Sequence, residues 1–466
     1  MSTPVFKLLI DGEYVTGEYG RPGYQPSPEG QAKLALDQLT LDTVVLMNRW
    51  LSYWDLIQGS GIRRKECLLE PSTLEVLGTQ LWRLILDNDV GQALKQRIPK
   101  EGKPPIRLSI EFNDKANSTL NGLPWEFLFE PENRWFLATK TELLLTRYVT
   151  VQERATVGQV GEREKLRALL IAALPIAKKF DSNRVALSRL KTALTDVINL
   201  EVAEPIDVWD PERISRELAA KEYHIVHVVG ICRGVPGKPQ IYLGGAGDGF
   251  EDSGAFVDCL TDNAPQPRPR LVILQLCDYE DGDASENFER MAPALIRRQV
   301  PAVLALQYAA MVDQPDDIGL GKQFYESLVN GEHIGAAVQA SRRRLQKHRD
   351  RRFGTPVLYL QEDGALRRPG SGTGAGESTA RSGTPGEQTI RERLITDLEG
   401  RGFQRDALRP FLKWLRELGP QPGSDEIKIK VKSMVFDPPD QHQVPQAVFE
   451  EAYLALLDLE RGHAAT

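Results

Sequence analysis

Apolar residues fall along this chain in two rhythms that alternate. From Lys165 onward, short, mostly apolar runs give way to stretches whose apolar positions recur every three or four residues, and then return. Apolar runs of this length suit strands buried on both faces, and the longer period suits helices lying on them. The runs are Leu166 to Ala173, Ile225 to Val229, Leu271 to Leu276, Ala302 to Leu306 and Pro356 to Leu360, with a shorter one at Ile206 to Val208. The helical stretches are Arg184 to Leu194, Pro211 to Ala220, Ala292 to Arg298, Gly319 to Asn330 and Ile334 to Leu345. The pattern predicts an α/β fold with a mostly parallel sheet flanked by helices. In such sheets, function gathers at the carboxyl ends of the strands.

Upstream, the pattern predicts a hairpin near Phe6 to Tyr14 and helices over Leu41 to Trp54, Ser72 to Leu86 and Val90 to Gln96. Strands are expected at Ile106 to Phe112 and Leu143 to Val149. Downstream, the stretch from Arg367 to Gly386 is rich in Gly and Ser and has no bulky apolar residue, so it reads as a flexible linker. Beyond it, Ile390, Leu394, Ile395 and Leu398 share one helical face, as do Leu408, Phe411, Leu412, Leu415 and Leu418. Ile427, Ile429 and Val431 alternate with lysines, and a last helix is expected from Pro445 to Leu459. The expected organisation is therefore an amino-terminal helical and hairpin part over 1–105, the main α/β domain over 106–366, a linker over 367–387 and a small helical module over 388–466.

With 466 residues the chain can bury a core without disulfides or metals. The net charge of −7 argues against a phosphate-reading nucleic-acid binder. No apolar run approaches the ~20 residues that span a bilayer, and residues 1–10 do not read as a signal peptide. A cytoplasmic setting with reduced thiols is the expectation for the four cysteines, Cys67, Cys232, Cys259 and Cys277. Their spacings fit no zinc ribbon, and no metal or cofactor is expected. Gly244 to Gly249 lacks the Lys-Ser/Thr of a phosphate loop. The basic run from Arg342 to Arg352 is read as complementing a helix end.

Two strand ends carry candidate chemistry. One is the run from His224 to Gly230, entering an expected turn over 230–234. The other runs from Arg270 to Cys277 and is followed by Asp278, Glu280, Asp281, Asp283 and Glu286. If the strands are neighbours, Cys277 could act as a nucleophile beside a base, or pack as a small apolar residue. The acidic residues could select a basic side chain in a substrate, or form a solvated loop.

These segments resemble the CHAT domain family, bacterial members of the caspase and separase class of cysteine peptidases. Leu123 to Phe129 (LPWEFLF), then Trp135 to Leu137, then Arg147 and Tyr148, is similar to the family's entry segment. His224 to Gly230, Leu271 to Cys277 and Val300 to Gln307 resemble its successive strands. Phe324 to Leu328, Ala337 to Arg342 and Pro356 to Tyr359 match its closing elements, and Leu77, Gly78, Leu81 and Trp82 match the helix before the domain. The resemblance covers roughly residues 70–361 and implies a caspase-like sheet.

It also places Cys277 at the nucleophile position. Where the family has Gly-His-Gly, this chain has Gly230, Ile231 and Cys232, so the catalytic histidine does not carry over. His227 is the candidate substitute base, and Asp278, Glu280 and Asp283 are candidate substrate contacts. The resemblance implies a role in bacterial conflict, antiphage defence or cell-death signalling. One reading is a catalytically impaired protein working through protein contacts, with a partner bound by the carboxyl-terminal module. The other is an active cysteine endopeptidase cleaving a polypeptide after a basic residue.

Overall fold

The computed structural model describes residues 3–21, 25–36, 40–48, 51, 71–113, 118–151, 160–161, 164–175, 181–235, 238–244, 249–262, 268–278, 285–307, 320–347, 351–361 and 366. The chain divides into two units, 1–371 and 372–466, and the described residues all lie in the first. The expected linker and carboxyl-terminal module fall outside the described residues.

The chain opens with β1 (Val5–Asp11) and β2 (Tyr14–Gly20), paired antiparallel from Val5↔Gly20 to Asp11↔Tyr14. Gly12 supplies the positive φ (60°) that so tight a turn requires. Phe6, Leu8 and Ile10 alternate inward from β1 and are fully buried. β3 (Ser27–Lys33) closes this edge, and its Pro28, Gly30 and exposed polar residues discourage further pairing. Residues 40–48 form α1, followed by α2 (Pro71–Ile85) and α3 (Asp89–Arg97), the latter capped by Asn88.

β4 (Ile106–Phe112) runs parallel to β1. After it come a turn of helix, α4 (Ser118–Asn121), the two-residue strands β5 (Phe129–Glu130) and β6 (Trp135–Phe136), and β7 (Leu143–Tyr148), parallel to β4. The predicted alternation follows: β8 (Leu166–Ala173), α5 (Asp181–Thr195), β9 (Leu200–Val202), α6 (Pro211–Ala220) and β10 (Ile225–Val235). Then come β11 (Lys238–Tyr242), β12 (Phe250–Asp252), α7 (Ser253–Thr261), β13 (Leu271–Asp278) and α8 (Ser285–Arg297). β14 (Ala302–Leu306), α9 (Lys322–Val329), α10 (Ile334–Lys347) and β15 (Pro356–Leu360) complete the described body.

Thirteen strands form one sheet in the order β9-β8-β10-β13-β14-β15-β7-β4-β1-β2-β3, with β11 and β12 extending from β10. β8, β9, β10, β13 and β14 are parallel to one another. β15, β7, β4 and β1 form a second parallel block, and the two blocks meet antiparallel at β14–β15. The fold is thus a mixed α/β structure with a large, mostly parallel sheet flanked by helices. Among the described residues, no helix is long and apolar enough to cross a membrane.

Three departures from the sequence pattern matter. β10 does not turn at Gly230 but continues to Val235, where β11 pairs with it through Cys232↔Ile241 and Arg233↔Gln240. Gly230 is a site of close packing instead: a Cβ there would lie 3.0 Å from both Ala173 and Leu276. The short strand expected at 206–208 reduces to a single bridge between Ile171 and Ile206, while Leu200–Val202 takes the edge. α8 begins at Ser285, seven residues earlier than its apolar pattern suggests.

Candidate functional site

Position 277 is fixed by two parallel strands. β10 and β13 pair from Ile225↔Leu271 through Ile231↔Cys277 to Cys232↔Asp278. Neighbouring strands lie roughly 4.8 Å apart, so the backbones of Ile231 and Cys277 face each other directly, Cys277 at the carboxyl end of β13 and Ile231 inside the longer β10, which runs on to Val235. Ile231 is fully buried in the core that holds Val229, Ile273 and Leu306. Cys232, one residue on, packs into the core of the opposite sheet face with Val228 and Leu274, as the two-residue period demands. The Cys277 and Asp278 side chains, and Glu280 and Asp283 entirely, lie outside the described residues.

His227 registers with Ile273, four positions before Ile231 and about 13 Å back along the strand. It is fully buried, and both ring nitrogens are engaged. Nδ1 lies 2.9 Å from the Tyr325 hydroxyl and Nε2 lies 3.3 Å from Gln275 Oε1. Because Gln275 Oε1 can only accept, Nε2 carries the proton and Nδ1 accepts from Tyr325. Burial pushes the His227 pKa down to about 4, opposed by the Gln275 hydrogen bond. The imidazole is neutral and ties β10, β13 and α9 together.

His224, at the start of β10, accepts the Arg167 backbone N–H at Nδ1 (2.8 Å). Its Nε2 lies 3.6 Å from Glu222, which also pairs with Arg270 (3.1 Å). One side-chain atom each of Glu164, Glu222 and His224 lies within 4.8 Å of the others. A neutral imidazole that accepts at Nδ1 has its proton on Nε2, so the cluster offers a metal no imidazole lone pair. Its chemistry is that of ion pairs. His333 accepts the Gly335 backbone N–H at Nδ1 (3.1 Å) at the start of α10. His348, His442 and His463 lie outside the described residues. Among the described residues, no imidazole stands at the carboxyl ends of β10 and β13.

A buried ionic scaffold joins β7 to the entry segment. Arg147 and Glu126 are each 1% exposed and pair through two bonds, Nε–Oε1 at 3.1 Å and Nη2–Oε2 at 2.7 Å. Arg147 also donates to the carbonyls of Asn121 (2.8 Å) and Leu123 (3.0 Å). Its Nη2 reaches Gln307 Oε1 at 3.5 Å, and Gln307 Nε2 donates to the Gly354 carbonyl. Arg342 donates to the carbonyls of Leu145 (3.1 Å) and Pro356 (2.6 Å), and burial pushes its pKa down to about 10. The Trp-Glu segment and the Arg-Tyr pair of the sequence therefore act together, fastening the entry segment, β7 and the end of β14. Gln275 and Tyr325 were not legible as partners of His227, because nothing in a strand or helix pattern marks contacts across forty-eight and ninety-eight residues.

The sequence model of the CHAT domain family matches residues 75–382. Among solved structures, the Arg-specific cysteine proteinase gingipain R is 16% identical with a TM-score of 0.40, over 61% of this chain and 69% of that one. Separase in the Saccharomyces cerevisiae separase–securin complex is 12% identical with a TM-score of 0.41, over 76% of this chain. The match spans only 30% of the separase chain. No curated protein matches the sequence.

Proposed function

The chain belongs to the CHAT domain family, and on that premise we propose that it is a disarmed caspase-fold protein of a bacterial conflict or defence signalling system, acting through protein–protein contacts. The observation that carries this reading is the Ile231↔Cys277 register. The backbone position directly across from the sulfur-bearing residue holds a fully buried hydrocarbon. A thiol with no acceptor nearby keeps a pKa of about 8.5 and stays mostly protonated near neutral pH. His227 is a poor substitute base on this reading, because both its nitrogens are engaged about 13 Å back along the strand. The protein contacts are assigned to the 388–466 module, and deletion of that module should abolish retention of the partner.

The rival reading, an endopeptidase with Cys277 as nucleophile, His227 as base and Asp278, Glu280 and Asp283 selecting a basic residue, makes a separable prediction. The full chain is incubated with peptides containing Lys, Arg, Asp or Glu, beside a Cys277→Ala control. Equal, background-level hydrolysis by both proteins is the expected result. Cleavage that depends on Cys277 overturns the disarmed reading.

A further inference from the structure

The sheet ends at β9, which pairs with β8 on one side and, among the described residues, with no strand on the other. Two bonds show which of its backbone groups are used. Leu166 N–H donates to the Asn199 carbonyl and Ala203 N–H donates to the Ala168 carbonyl, each at 3.0 Å. Residues 199, 201 and 203 therefore turn their polar groups toward β8. The backbone alternates along a strand, so the Val202 N–H and C=O and the Leu200 C=O turn outward. The edge is held at both ends: Leu200 N–H donates to the Val197 carbonyl (3.2 Å), and Ile206 N–H donates to the Leu170 carbonyl (3.0 Å).

The side chains around this edge are apolar and acidic. Ile198 is 81% exposed and Val208 is 43% exposed, so apolar surface lies open just before and just after the strand. From Asp196 to Asp210 the chain has five acidic residues and no Lys or Arg. Asp196, Glu201, Glu204, Asp207 and Asp210 are all exposed. Lys191 pairs with Glu204, and Arg167, opposite Glu201 in the register, pairs with Glu164 at 3.6 Å. The stretch therefore keeps a surplus of negative charge. Two copies of it repel each other, which bars this edge from pairing with itself, while a basic strand is drawn in.

We propose that β9 is a docking edge that takes an extended, basic segment of a partner protein as a further strand of the sheet, the partner's Lys or Arg residues answering Glu201 and Asp207 and its apolar residues covering Ile198 and Val208. The open groups of Leu200 and Val202 supply main-chain hydrogen bonds, which give affinity whatever the partner's sequence. The acidic side chains supply the selection. An edge already fixed by its bonds to β8 loses little further freedom when a strand is added. This contact is separate from the one assigned to residues 388–466, and it does not depend on the state of the Cys277 site.

The test uses the full chain and two fluorescein-labelled peptides, one alternating Lys with Val and one alternating Glu with Val, with binding read by fluorescence anisotropy. The Lys peptide should bind about tenfold more tightly at low salt, with the preference shrinking as salt rises. The double variant Glu201→Lys/Asp207→Lys should remove that preference with an unchanged circular dichroism spectrum. Val202→Pro deletes an outward N–H and should weaken binding of the Lys peptide about tenfold. Should that variant unfold, a Lys peptide with Pro in place of its central Val makes the same test on the unmodified chain, with the same loss expected. Equal binding of the two peptides, tighter binding of the Glu peptide, or a preference that survives the double charge variant overturns the proposal. So does binding that neither proline weakens.

Discussion

The guanidinium of Arg147 grips both carboxylate oxygens of Glu126 in a space from which water is excluded. Breaking such a pair from one side leaves an unpaired charge in the core, at a typical cost of about 3–5 kcal/mol. Glu126→Ala should therefore lower the unfolding free energy by that order, measured by urea denaturation. Replacing both residues with apolar ones of similar volume should cost much less. A single substitution that leaves the urea midpoint unmoved would show that the pair contributes nothing.

Gly78 on α2 lets the helix press directly on the entry segment. A Cβ there would lie 2.2 Å from the Phe127 carbonyl oxygen and 2.5 Å from Phe129 Cβ. Because backbone must move to make room, Gly78→Ala should destabilise by about 1–3 kcal/mol, although alanine is the better helix former. The thermal midpoint reads this out, and a stabilised Gly78→Ala variant contradicts the packing described.

These two sites show what the sequence could and could not convey. Strand-like stretches located β4, β8, β14 and β15 to the residue, and the last three are mostly apolar, as strands buried on both faces must be. The strand bearing Cys277 and its neighbour bearing Ile231 were legible for the same reason. The β11–β12 hairpin was not. Gly230 and Gly234 read as the bounds of a turn, yet Gly230 sits mid-strand, closely packed by Ala173 and Leu276. Glu126 and Arg147 were visible as a motif, but their pairing across twenty-one residues was not.

His227 sets a pH dependence. Its folded pKa, about 4, lies below the unfolded value of about 6.5. The unfolded chain therefore binds more protons between these values, and stability falls as pH drops from about 6.5 toward 4. The group's share of that loss is about 3 kcal/mol. In urea titrations across this window, the stability gap between the unmodified chain and His227→Gln should change by about this amount. A gap that does not vary with pH would contradict a neutral, buried imidazole.

Restoring an acceptor across from Cys277 should sharpen its sulfur. In the Ile231→His/Cys232→Gly variant, a thiol pKa falling from about 8.5 to about 7 raises the thiolate fraction at pH 7 from roughly 3% to roughly half. Lower intrinsic nucleophilicity offsets part of this. Alkylation of Cys277 by iodoacetamide, followed by mass spectrometry, should quicken roughly three- to fourfold. A folded variant with no change in rate would place the Cys277 sulfur out of reach of position 231.

The reversal of direction between β14 and β15 gives the body two working ends. Strands carrying Cys277 and its neighbours finish at one pole, while β1, β4 and β7 finish at the other. The turn at Gly12 and Glu13 lies at that second pole, with Glu13 exposed. It offers a handle for a dye, an affinity tag or a sensor surface that leaves the sulfur-bearing pole open to whatever docks there.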